Sequence, residues 1–271
     1  MQKPILVGAV IYEPKVATIW DIIKQFFADE GCPIDYVFYS NYALQVRALV
    51  DGHIDIAWNS PLAWVDALRQ APGRCRAIAM RDTDRDRVSH VVVKKGTKTL
   101  ADLKGKTVAS GALDSPQATL IPLQLLRRAG LHAGRDFQLR RFDVLVGKHG
   151  DHIGGEKKAL ECLLSGEADA ACILDLNWEL WAKDGTADAS RFESIAVTPK
   201  FDHCNFTVLD RFAKADEERW TKALMRMRYD EPRHREMMDL EGLKEWLPGR
   251  TGGYDILAEA TREQKFFEAR P

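Results

Sequence analysis

Two rhythms of apolar and polar positions alternate along this chain. Ile5-Leu6-Val7-Gly8-Ala9-Val10 is a continuous apolar run of strand length. Over 15–29 the apolar residues Ile19, Ile22, Ile23, Phe26 and Phe27 fall on one helical stripe, which predicts an amphipathic helix. The succession then repeats, with a strand at 34–39, a helix at 42–51, a short strand at 54–58 and a helix opened by Pro61 and reaching about residue 70. Proline suits a first helical turn because its missing N–H would have had no partner there. This β-α-β-α-β rhythm predicts a mostly parallel sheet with helices on both faces.

A second unit of the same kind begins near residue 89. Strands are predicted at 91–93, 106–109, 136–143 and 169–174, with helices at 99–103, 117–129 and 156–165. After about residue 192 the chain reads as returning to the first unit through Ser194–Val197 and Phe206–Leu209, and 214–270 are largely helical and charged. The expected organisation is therefore one lobe of 1–88 plus 195–271 and a second of 89–194. The halves echo each other: Gly52-x-x-Asp55-Ile56-Ala57 resembles Gly166-x-x-Asp169-Ala170-Ala171, with glycine ending a helix and Asp starting a buried strand.

Composition narrows the function classes. The 271 residues are 45% hydrophobic and 29% charged, as in an ordinary globular protein, and suffice for two lobes. A formal net charge of -1 leaves no electrostatic footprint for nucleic acid. No apolar run approaches the roughly 20 residues of a membrane span, so membrane insertion is not expected. Five widely spaced cysteines without a CxxC pair fit reduced thiols better than a disulfide framework. Met1-Gln2-Lys3-Pro4 leads straight into the first strand without the three-part pattern of a secretory leader. The sequence as it stands thus reads as cytoplasmic, or as periplasmic if a leader has been removed.

Candidate chemistry concentrates in a few segments. Between Lys148 and Glu156 lie His149, Asp151, His152 and three glycines. His149, His152 and Glu156 are residue types that suit zinc or iron(II), and two histidines with one carboxylate leave positions open for a substrate. Direct ligand contact without a metal, or a solvated loop, fits the same residues. Leu113-Asp114-Ser115-Pro116-Gln117-Ala118-Thr119 lies between a strand and a helix, where first-turn N–H groups can hold an anion. Pro116 removes one of those donors and Gln117 adds a longer amide. Tyr12, Tyr39-Ser40-Asn41 and Asn59-Ser60 occupy further strand-to-helix junctions, where ligand contact and simple N-capping compete. Asp175 and Asn177 follow the strand at 169–174. In Phe201-Asp202-His203-Cys204-Asn205 a nucleophilic Cys/His pair is conceivable, but adjacent residues of a strand point to opposite faces, which argues against a dyad.

The order of Tyr39-Ser40-Asn41-Tyr42, Gly52 through Pro61, Leu100 through Val108, Ser115 through Pro122, Gly166 through Ala171 and Leu243 through Pro248 with Tyr254 resembles the phosphate/phosphite/phosphonate solute-binding family. The resemblance spans nearly the whole chain. It implies a type II periplasmic-binding-protein fold, with two α/β lobes joined by two crossovers near 86–90 and 193–200, and a cleft that closes over the ligand. It implies a small, anionic, phosphonate-, phosphate- or carboxylate-like ligand, and an ABC permease as partner if the protein is exported. The residues it points to are Tyr12, Tyr39, Ser40, Asn41, Asn59, Ser60, Ser115, Gln117, Thr119, Asp175 and His203. Two departures stand out. The family's Ser-Thr-Ser-Gly-like loop reads Ser115-Pro116-Gln117-Ala118 here, and the family's ligand histidine is replaced by Glu156. A carboxylate there would repel an anion unless protonated or paired. A cytoplasmic, metal-dependent enzyme on the same fold, of decarboxylase, lyase or cofactor-biosynthesis type, is the alternative, with Glu156, His203 and Cys204 as catalytic candidates.

Overall fold

The structure is a computed structural model that describes residues 3–149 and 154–268. In chain order its strands are β1 (Ile5–Val10), β2 (Ile34–Tyr39), β3 (Ile56–Asn59), β4 (Cys75–Arg81), β5 (Ser89–Lys94), β6 (Thr107–Ser110), β7 (Gln138–Arg141), β8 (Ala170–Leu174), β9 (Phe192–Val197), β10 (Asn205–Leu209) and β11 (Trp246–Pro248). The α-helices are α1 (Lys15–Asp29), α2 (Tyr42–Asp51), α3 (Pro61–Gln70), α4 (Ile121–Arg128), α5 (Gly154–Ser165), α6 (Asp175–Lys183), α7 (Lys214–Leu224), α8 (Pro232–Glu241) and α9 (Asp255–Glu263). The chain divides into two compact units. Unit 1 runs up to Arg85 and resumes over Asp202–Tyr254, whereas unit 2 comprises Asp86–Phe201 and the chain from Asp255 onward.

Unit 1 is built on a six-stranded sheet in the order β11-β4-β10-β3-β1-β2. Strands β2, β1 and β3 run parallel, and β10 enters antiparallel between β3 and β4. The main core lies where α1 puts Val16, Ile19, Trp20, Ile23, Phe26 and Phe27 against the sheet; four of the five predicted stripe residues are among them, Ile22 is only partly buried, and Val16 and Trp20 join the face. Phe27 stacks on Trp220 of α7 at 5.2 Å between ring centroids, and Phe206 meets Trp220 edge-on at 4.7 Å. Rings of this size dominate a core because each removes a large apolar area from water.

Unit 2 is built on a five-stranded sheet in the order β7-β6-β8-β5-β9. Alternate residues feed opposite faces, as strand geometry requires. Val92, Ala109, Ala171 and Ile173 pack with α5 on one side, and Val91, Val93, Val108, Ala170 and Cys172 pack with Leu126 of α4 on the other. Strand β9 pairs antiparallel with β5, so Ser194–Val197 belongs to this sheet and does not return to unit 1. The last helix also departs from the expected division. Arg128 of α4 bonds to Glu259 and Glu263, and Gln264 donates to the carbonyl of Leu120, which places α9 in unit 2. The chain crosses between the units three times, at 85/86, 201/202 and 254/255, rather than twice.

The sequence echo between the halves has a structural counterpart. Gly52 and Gly166 both take left-handed backbone, with φ of 84° and 80°, and close the preceding helix. Three residues on, the Asp55 carboxylate accepts the N–H of Leu6 in β1 and the Asp169 carboxylate accepts that of Thr107 in β6, each at 2.9 Å. The two aspartate N–H groups donate back to the carbonyls of those same partners at 2.8 Å. Each aspartate thus fastens the amino end of its strand to the amino end of a parallel neighbour.

Candidate functional site

The turn after β6 is the most developed polar site of unit 2. Ser115, Gln117 and Thr119 are all buried, in a single wide helical turn over Pro116–Leu120 that leads into α4. Ser115 is its N-cap. Its Oγ accepts the N–H of Ala118 at 3.2 Å, and its carbonyl accepts those of Thr119 and Leu120 at 3.2 and 2.9 Å. Pro116 has no N–H, so Ser115 and Pro116 together take up most of the donors that a first turn can offer an anion. The turn is fixed from behind by Ser89, whose hydroxyl donates to the Gln117 carbonyl at 2.6 Å. Two side-chain hydroxyls differ sharply here, because the fully buried Oγ1 of Thr119 has no hydrogen-bond partner among the described residues.

Glu156 reaches this turn from the start of α5. It is 2% exposed, and its Oε1 accepts from the Gln117 side-chain amide at 3.2 Å. Its Oε2 accepts the Leu174 N–H at 2.8 Å and the Asn177 amide at 2.9 Å. One carboxylate therefore joins the Ser115–Thr119 turn, the end of β8 and the start of α6. Gly155 makes this reach available. A Cβ there would stand 2.9 Å from the Phe142 carbonyl and 3.1 Å from Gly111 Cα, so only glycine brings the start of α5 this close. Of the other predicted metal ligands, His149 is buried in left-handed backbone with φ of 56°, and His152 lies outside the described residues. Asp175, the first residue of α6, is buried; its carboxylate accepts the N–H of Leu176 at 2.9 Å and faces Arg87 at 3.5 Å.

Unit 1 carries the remaining predicted residues. Asn41 and Ser60 are helix N-caps, accepting from Leu44 at 2.9 Å and from Ala63 at 3.2 Å. Asn59 is fully buried, where its amide accepts from Gln45 and donates to Thr207, each at 2.9 Å. Tyr12, just past β1, packs against the main core and Tyr39 is half-buried at the end of β2. Ser40 is exposed.

A second buried cluster in unit 1 went unread except for its histidine and cysteine. The Asp84 carboxylate takes a fork of bonds from Arg81, with Nε and Nη2 both at 2.8 Å, and also accepts the N–H of Cys204 at 3.1 Å. Burial alone would raise the Asp84 pKa, but the Arg81 charge and hydrogen bonds outweigh it and hold the carboxyl well below the usual range. Arg81 also bonds Glu241 at 3.0 Å, yet burial and the neighbouring Asp84 charge still push the Glu241 carboxyl upward. Asp202, 1% exposed, is gripped by Arg250 through two 2.6 Å bonds. The alternating charges of Arg81-Asp82-Thr83-Asp84-Arg85-Asp86-Arg87 were the available sequence signal for this cluster. His203 and Cys204 precede β10 rather than lying in it, so strand alternation does not separate them, and His203 Nδ1 stands 3.1 Å from Cys204 Sγ.

A sequence profile of the family described as "ABC transporter, phosphonate, periplasmic substrate-binding protein" matches residues 13–251. The chain belongs to that family. Its members' fold agrees with the structure. PhnD1 from Prochlorococcus marinus, solved in complex with methylphosphonate, superposes with a TM-score of 0.71 over 97% of this chain and 98% of its own, at 20% identity. A binding-protein component of a phosphonate ABC transporter from Pseudomonas aeruginosa gives 0.66 over 98% and 88%, at 12% identity. A Xanthomonas citri protein bound to ATP gives 0.71 over 98% and 99%, at 14% identity. An uncharacterised Haemophilus influenzae protein is 55% identical over 31 residues, 11% of this chain and 44% of that relative's length. This member of the phosphonate-binding family is a ligand-binding protein of the type II periplasmic-binding-protein fold, two mixed α/β sheets each flanked by helices. The enzymatic alternative gains no support from these relatives. No helix among the described residues is long and apolar enough to cross a membrane.

Proposed function

We propose that this chain captures a small anion of the phosphonate, phosphate or carboxylate class in the periplasm and delivers it to an ABC permease. The turn after β6 is the anion-holding element of unit 2. The observation that carries this reading is the buried Ser115–Thr119 turn at the carboxyl end of a sheet strand, where α/β proteins place their ligands. With one N–H of the Gln117 amide given to Glu156, the other donates to the ligand, and Thr119 supplies a hydroxyl with no hydrogen-bond partner among the described residues. Glu156 acts through Gln117 and stays out of contact with the anion, which removes the repulsion that a carboxylate facing the ligand would cause. With Pro116 in place and the Ala118 and Thr119 N–H groups bonded to Ser115, side chains supply more of the grip than backbone does. In unit 1, Tyr12, Tyr39, Ser40 and Ser60 follow the carboxyl ends of β1, β2 and β3 and are the next contacts to test.

A thermal-shift and calorimetric series with methylphosphonate, phosphate, phosphite and small carboxylates tests the reading. A ligand at 100 times its Kd stabilises the folded state by about 2.7 kcal/mol. At least one of these anions should raise Tm, and Gln117→Ala should weaken its binding by about tenfold or more, as loss of a charge-assisted hydrogen bond implies. No Tm rise with any of them, or binding indifferent to Gln117→Ala, would overturn it.

A further inference from the structure

We propose that Asp84, His203 and Cys204 form a binding site in unit 1 for a divalent transition-metal ion of the zinc type. One carboxylate oxygen, one imidazole nitrogen and one sulfur from these residues all lie within 4.8 Å of one another. Carboxylate, imidazole and thiolate are the donors that zinc takes in proteins.

The geometry distinguishes a metal site from a nucleophile. In a catalytic triad the histidine uses opposite ring nitrogens, one toward the nucleophile and the other toward the carboxylate. Here a single nitrogen faces both: His203 Nδ1 is 3.1 Å from Cys204 Sγ and 3.5 Å from Asp84 Oδ1. Such an arrangement cannot relay a proton along a line, whereas three donors within 4.8 Å of one another can share one ion. Bonds of about 2.0 to 2.3 Å in a tetrahedral zinc site put neighbouring donor atoms roughly 3.3 to 3.6 Å apart, close to the two separations found.

The surroundings supply what a metal site needs beyond its donors. Metal-bound carboxylates are held by outer hydrogen bonds, and Asp84 has its fork from Arg81. The Arg81 charge would oppose a cation, but Glu241 faces it as well as Asp84, so the positive charge is shared between two carboxylates. His203 has a side-chain exposure of 15%, the largest of the three donor residues. The ion would tie the segment ending at Arg85 to the segment beginning at Asp202, the two ends at which the chain leaves and rejoins unit 1.

Titration of the full chain with Co(II), followed by absorbance, tests the site. A thiolate–cobalt charge-transfer band should grow to one equivalent, disappear on adding Zn(II) and be absent in Cys204→Ala. His203→Ala should weaken Zn(II) by more than about tenfold, since even loss of an outer-layer partner costs about 10- to 100-fold. Cys75→Ala, at the one cysteine that is not fully buried, should leave the band intact. In the unaltered chain, Zn(II) should also protect Cys204 from alkylation, read by peptide mass spectrometry, which needs no variant to fold. Absence of the band in folded protein, or its survival in Cys204→Ala, would each overturn the proposal, as would alkylation of Cys204 that proceeds equally fast with and without Zn(II).

Discussion

Each unit buries a carboxylate beside a turn, and the two are satisfied in opposite ways. Asp84 in unit 1 faces a guanidinium, with Arg81 gripping both of its oxygens. Glu156 in unit 2 accepts from two side-chain amides and a backbone N–H. A carboxylate neutralised by a fork of charge is an anchor, because removing it leaves a buried guanidinium with only Glu241 to balance it. A carboxylate that collects amides is an organiser, because its oxygens decide where Gln117 and Asn177 point. The same functional group thus holds chain in one unit and aims a donor in the other.

The sharpest way to break this comparison is to delete each carboxylate. Asp84→Ala should lower the unfolding free energy by about 3 to 5 kcal/mol, the usual loss when a buried ion pair is broken on one side. Glu156→Ala should cost less, about 1 to 3 kcal/mol, since it chiefly leaves the Leu174 N–H and two amides unsatisfied. Urea unfolding of both variants measures the difference, and equal losses would erase the distinction between anchor and organiser. Next in size, Gly155→Ala should cost about 1 to 3 kcal/mol through the clash of its new methyl with the Phe142 carbonyl and Gly111. It should also weaken anion binding by moving Glu156 away from Gln117. A variant as stable as the parent with unchanged affinity would show that the close approach of α5 is dispensable.

The smallest expected effect is a pH dependence confined to unit 2. Burial holds the His90 imidazole below its ordinary pKa, against the opposing pull of Asp175 and Glu179, while Ser194 lies 2.9 Å from its Nδ1. The unfolded chain therefore takes up this proton more readily than the folded one. Stability should be complete above about pH 6.5 and fall as the pH drops through the ordinary histidine range. Comparing unfolding at pH 7.5 and 5.5 (roughly one unit either side of that range) in the parent and in His90→Asn checks this, and an unchanged slope in the variant would remove His90 as the cause.

Much of the framework was legible because it depends on local pattern. The stripe Ile19, Ile23, Phe26, Phe27 and the runs at 5–10 and 34–39 place β1, α1 and β2 at their observed bounds. Periodicity does not say which sheet a strand joins. Ser194–Val197 read as a strand, but its partner β5 lies a hundred residues upstream, so only the folded chain reveals the pairing. Strands β4 and β11 were missed for a related reason. Cys75–Arg81 mixes arginines with buried Ala79 and Met80, and the three residues of Trp246–Pro248 are too few to show a period. At the site, residue type picks out polar positions but not their hydrogen-bond partners. For Glu156 the sequence leaves metal, ligand and solvent open, because it cannot show that Gly155 lets α5 close up so that this carboxylate accepts from Gln117. His203 and Cys204 were separated by a strand rule that does not apply to residues preceding β10.

The paired aspartates, Asp55 and Asp169, give the architecture a further property. Each fixes strand alignment at the amino end of its sheet, while the turns bearing Tyr12, Ser60, Ser115 and Asp175 emerge at the carboxyl end. A slip of two residues would carry those turns about 6.6 Å along the strand, at roughly 3.3 Å per residue. With alignment written into the floor, the mouth carries no duty of its own in setting it. Sequence changes in those turns, Ser-Pro-Gln-Ala among them, should therefore leave strand alignment intact.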